Sequence, residues 1–185
     1  CDRYRSGFKS KWFAQFVAST PTYMVIDDHE FWNDFNGVQT LTDAAKVSRY
    51  ENALKAIRSY QLRVTERVVD PSRPELWYNF QHNAFRFFAL DCRTCRLGGS
   101  LLGGPQTQAF SGWLRGQQMN EISCVMSSVP LLPLADGDDD YNSDKWSGFP
   151  DSLGFLRQEL DDSHVPDGQL RRVIFFTGDY HLSTW

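Results

Sequence analysis

LWYNFQHNAFRFFALD, Leu76 to Asp91, reads as two aromatic-rich strands, LWYNF and FRFFALD, folded back on the turn residues QHN. Further along, SCVMSSVPLLP and RRVIFFTGD are apolar runs of strand length, and upstream PTYMVIDD reads as a short buried strand opened by Pro21. Helical patterns lie between these runs. Gly7–Ser19 places Phe8, Trp12, Phe13, Phe16 and Val17 at helical intervals, and a long helix starts from the capping signal at Thr42. TQAFSGWLRGQQM and FPDSLGFLRQEL, the latter with Pro150 at its start, are shorter helices. DPSRP, RLGGSLLGGPQTQ and the acidic ADGDDDYNSD read as loops, the last solvated. Strands alternating with helices predict an α/β layered fold, in which ligands collect beyond the carboxyl ends of the strands.

The bulk numbers exclude more than they identify. A chain of 185 residues with 41% hydrophobic and 23% charged residues can bury one sizeable core. Its net charge of -4 lacks the basic footprint of a nucleic-acid binder, and no apolar run approaches a membrane span. Cys92 and Cys95 form an isolated C-x-x-C without a second pair at zinc-site spacing. A chance pair, or a disulfide in an exported protein, is the expectation.

Three apolar runs end in ionisable clusters. MVI runs into Asp27, Asp28, His29 and Glu30; FFAL into Asp91 and Arg93; VIFF into Gly178, Asp179 and His181. One aspartate after a strand often caps a turn, but three clusters at one sheet edge suit a divalent or trivalent metal that activates water or polarises a phosphoryl oxygen. Asp179 and His181 flank Tyr180 and point the same way on an extended backbone. Asp91 with Arg93 and Arg96 also fits a structural ion pair, while His82, in the turn, and His164, in an acidic loop, are expected to be solvated. The acidic run has neither the glycine nor the glutamate of a calcium loop, GGSLLGG lacks a P-loop lysine, and no serine-hydrolase elbow occurs.

MVIDDHEFWND, FRFFALDCRTCR, QTQAFSGWL, SCVMSSVPLL, DKWSGFPDSLGFLRQEL and VIFFTGDYHLS, in this order, resemble the PhoD-like members of the calcineurin-type metallophosphoesterases. The resemblance covers nearly the whole chain and implies an α/β/β/α sandwich with two metals, among iron, calcium, manganese and zinc. DDHE resembles the family's Gly-Asn-His-Asp/Glu, which implies Asp28 as a ligand and His29 as the catalytic histidine. GDYH resembles Gly-His-x-His, with Asp179 in place of the first ligand and His181 matching the second. Ser128 stands where the family has a ligand histidine, and Asp91 is a candidate to fill that vacancy. The implied activity is hydrolysis of small phosphate esters, with Arg93 or Arg96 clamping the phosphate bidentately.

The family's first two metal motifs are not found before Tyr4. The expectation is therefore one incomplete domain over 1–185, a partial four-layer sandwich with little activity by itself. The alternative is a non-catalytic metal-binding or interaction domain that kept a degenerate phosphoesterase fold. Family habit favours export, and oligomeric state is left open.

Overall fold

The structure is a computed structural model and describes residues 2–62, 76–131, 144–161 and 172–178. Five helices and one sheet are described: α1 (Asp2–Phe8), α2 (Lys11–Ser19), α3 (Ala44–Tyr60), β1 (Tyr78–His82), β2 (Phe85–Ala89), α4 (Gly104–Arg115), β3 (Ile122–Ser127), α5 (Pro150–Asp161) and β4 (Val173–Thr177). No described helix is long and apolar enough to cross a membrane.

The hairpin forms where the sequence predicts, with Tyr78 opposite Ala89 and His82 opposite Phe85. Its turn falls one residue later than QHN suggests. Asn83 takes the left-handed conformation at φ 53, which asparagine tolerates, and His82 ends β1 as an exposed strand residue rather than a turn residue. β3 pairs parallel to β2, and β4 parallel to β3, giving the order β1-β2-β3-β4. The carboxyl ends of β2, β3 and β4 therefore meet at one edge, as predicted for an α/β fold.

Alternate residues of β2 enter two different cores. Phe88 joins Val125, Phe110, Leu114, Trp146 and Leu156 beneath α4 and α5. Ala89, with Tyr78, faces Ile26, Phe31, Phe35, Tyr50 and Ile57 on the α3 side. The sheet thus carries helical cover on both faces, and the described residues contain one sheet of the expected sandwich.

Local chemistry explains the helices. Asp43 caps α3 by accepting the Lys46 N–H at 2.8 Å. α4 buries Gln106, Phe110 and Leu114 at intervals of four, and it starts at Gly104 with Pro105 in its first turn, earlier than the sequence pattern suggests. Glu159 of α5, buried, accepts from Ser111 Oγ at 2.8 Å and Arg115 Nη2 at 2.7 Å, locking α5 to α4.

Three expectations change. Residues 21–27 form no strand, although Ile26 is buried. They cross the hairpin instead, with Tyr23 stacked on Phe80 at 3.7 Å between centroids and the Tyr78 hydroxyl donating to the Met24 carbonyl at 2.8 Å. A short apolar run records burial, and burial does not require pairing. The single helix expected over Gly7–Ser19 is two, broken at Lys9 and Ser10, and its apolar residues Trp12 and Phe16 are exposed. Serine competes for the backbone and favours helix starts over interiors, so Ser10 opens α2. β4 is half-buried on one face, at Val173 and Phe175, and exposed on the other, at Ile174 and Phe176.

Gly37 joins the two halves. Its φ of +90 suits glycine, and a Cβ there would come within 2.7 Å of the Arg96 carbonyl oxygen, beside the Val38 N–H donating to the Thr94 carbonyl at 2.9 Å. Gly37→Ala is expected to lower the unfolding free energy by about 1–3 kcal/mol, read from the denaturant midpoint.

Candidate functional site

The 28–30 stretch is a 3-10 turn, so its three side chains leave in three directions. Asp27 and Glu30 close it as a capping box, with Glu30 Oε2 accepting the Asp27 N–H at 2.9 Å. Glu30 Oε1 accepts from Gln61 Nε2 at 2.6 Å, which ties the turn to the end of α3. Asp28 points inward and is 5% exposed. Its Oδ2 accepts the Asp34 N–H at 2.6 Å, and its Oδ1 lies 3.9 Å from Arg93 Nη2. His29 alone faces outward, exposed, with no hydrogen bond to a described residue.

Arg93, 1% exposed, organises the centre of the site. Its Nε donates to Asp27 Oδ1 at 2.5 Å, while Nη1 and Nη2 donate to the two oxygens of Asp144 at 2.8 Å each. This fork-on-carboxylate geometry is the strongest ionic pairing available to arginine. Arg96 adds a donation to Asp144 Oδ1 at 2.6 Å and one to the Cys92 carbonyl at 2.5 Å. Its Nη2 is buried without a partner among the described residues. The carboxylates these guanidiniums hold are Asp27 and Asp144, whereas the oxygens of Asp91, the partner expected from the sequence, accept backbone N–H groups.

Asp144 was not singled out by the sequence, which gave the acidic run to solvent. Residues 136–143 of that run lie outside the described residues, but Asp144 is drawn in by two arginines. Burial pushes its carboxyl up; Arg96 and Arg93 more than reverse this and hold it below the ordinary carboxylate range. A depressed folded-state value means stability that is present above the unfolded value and lost as pH falls through the folded one. Thermal melting of wild type and Asp144→Asn from pH 6 to pH 3 is expected to show a steeper acid loss in wild type.

Asp91 accepts three backbone N–H groups. Oδ2 accepts the Leu76 N–H at 2.8 Å, and Oδ1 accepts the N–H groups of Arg93 at 3.0 Å and Thr94 at 2.9 Å. Gln106, also missed from the sequence, reads the Asp91 peptide from α4 through N–H and carbonyl. Both carboxylate oxygens accept backbone N–H groups, and so shape the loop that delivers Arg93.

At the end of β3, Ser127 accepts from Trp146 Nε1 at 3.2 Å, and its carbonyl accepts the Gly178 N–H at 3.2 Å. Ser128, at the vacancy predicted from the sequence, is buried and its Oγ has no partner among the described residues. Asp179 and His181 follow Gly178 and lie outside the described residues. No disulfide joins Cys92 to Cys95, and burial pushes the Cys92 thiol up.

A metal needs several convergent donors. Among the described residues no group of three His, Cys, Asp or Glu side chains could hold one. Asp28 Oδ1, which accepts no hydrogen bond from a described residue, is the described oxygen that fits a hard cation as a single ligand. The described donors do not complete such a site by themselves.

One protein-family model, described as PhoD-like phosphatase, matches residues 2–185. No curated protein and no solved structure matches the chain.

Proposed function

Since the chain belongs to the PhoD-like phosphatase family, we propose that it takes part in metal-dependent cleavage of phosphate esters, with His29 protonating the departing alcohol. The observation that carries this is the division of labour within the 28–30 turn. Asp28 is buried and fixed by the Asp34 N–H, whereas His29, one residue on, projects freely from a turn braced at both ends by Asp27 and Glu30. A proton donor needs that combination of rigid backbone and accessible ring.

Asp28 and, by the resemblance, Asp179 and His181 would hold the metal. When bound, a hard ion would neutralise charge on the phosphoryl oxygens and make water a better nucleophile. Arg93 holds Asp27 and Asp144 in place, which fixes the turn relative to the sheet edge. His29 then carries a proton at a ring nitrogen within reach of the ester oxygen.

Assay with manganese, iron and calcium on chromogenic phosphate mono- and diesters tests the proposal. Metal-dependent turnover by the intact protein, with little from residues 1–185 alone, is the expected result. The second reading, a non-catalytic metal-binding or interaction domain, is favoured by Ser128, because a hydroxyl is a poor metal ligand. Absence of turnover with all three metals, together with one weak metal site on titration, would favour that reading.

A further inference from the structure

On the His29 side of the 28–30 turn, a cavity of about 1180 Å³ opens among α1, α2 and α3. Phe8, Phe13 and Trp32 line it with rings, Arg49 and Lys55 with cations, and His29 sits on its wall. Phe8 meets Phe13 edge-on at 5.1 Å between centroids, and the Arg49 guanidinium lies over the Trp32 ring at 5.4 Å. Glu30, the acid on this wall, has both oxygens engaged by Gln61 and the Asp27 N–H. The space is ample for a small molecule, and its lining is aromatic with positive charge.

We propose that this cavity is the subsite for the alcohol part of the ester and selects aromatic alcohols; the inference rests on His29 being the leaving-group acid. A general acid must come within about 2.6–3.2 Å of the oxygen it protonates. The leaving oxygen therefore lies against His29, and whatever it carries projects into the volume His29 lines. Rings there favour offset or edge-on contact with another aromatic group, and Arg49 and Lys55 favour an anionic ester. Asp27, Asp28 and Arg93 do not line the cavity.

The test is calorimetric binding of 1-naphthyl phosphate and methyl phosphate to the intact protein, alongside turnover of both esters. Wild type is expected to bind the naphthyl ester at least about tenfold tighter, since burying one aromatic ring supplies that much. Ala53→Trp, which fills the cavity from α3, is expected to remove the preference by weakening naphthyl phosphate more than methyl phosphate. Phe13→Ala, at a position 37% exposed and therefore safe for folding, is expected to shrink the preference about 2–10-fold. Equal binding of the two esters, or a preference that survives both substitutions, overturns the subsite. Naphthyl preference without any turnover supports the aromatic site and sinks the catalytic reading; turnover without the preference does the reverse.

Discussion

Replacing Arg93 with alanine is expected to cost about 3–5 kcal/mol of unfolding free energy, the range for removing one partner of a buried ionic group. The guanidinium is almost wholly buried and donates to two carboxylates from different parts of the chain, Asp27 before the 28–30 turn and Asp144 before α5. Without it the two acids face each other across a site with Asp28 close by. Arg93→Lys is expected to recover only part of the loss, because an ammonium cannot reproduce the fork on Asp144. Urea unfolding with unchanged m value measures both. A loss under about 1 kcal/mol, of the size seen for exposed pairs, combined with a raised KM for phosphate esters, would instead favour the phosphate-clamp role.

His29→Ala is expected to leave stability within about 0.5 kcal/mol of wild type, as for exposed substitutions, and to lower kcat about 10²–10⁴-fold in the intact protein. The size of the effect depends on the leaving group. An alkoxide needs the proton to depart, whereas nitrophenolate leaves readily without it, so the loss should be larger for alkyl than for nitrophenyl esters. Equal losses for the two substrates would mean that His29 acts on something other than the leaving oxygen.

The hairpin and β3 were legible because their patterns are local. Aromatic strands flanking turn residues, and a run such as SCVMSS, leave few ways to bury their side chains except in a sheet. The same reasoning failed at MVI, where Ile26 is buried and Met24 and Val25 half-buried over the hairpin without pairing. It also failed to show the break at Lys9 and Ser10, since the apolar spacing of Gly7–Ser19 fits one helix as well as two.

In the site, the cluster at Asp27–Glu30 was visible as chemistry but not as geometry. Its 3-10 form, which separates buried Asp28 from exposed His29, depends on Glu30 reaching back to the Asp27 N–H and on Gln61 reaching Glu30 from α3. Asp144 carried no signal beyond its place at the end of an acidic run, and Gln106 none beyond its helix. Their partners, Arg93 and the Asp91 peptide, are 51 and 15 residues away in the chain.

The sequence by itself determined the α/β class, the hairpin, the family and the residue types available for phosphoester chemistry, because these follow from local periodicity and ordered motifs. Only the tertiary structure decided that Arg93 binds two carboxylates, that Asp91 serves the backbone, and that His29 lines an aromatic cavity. The reason is physical: a charged or polar side chain takes its role from the groups that meet it after burial, and those groups come from distant parts of the chain.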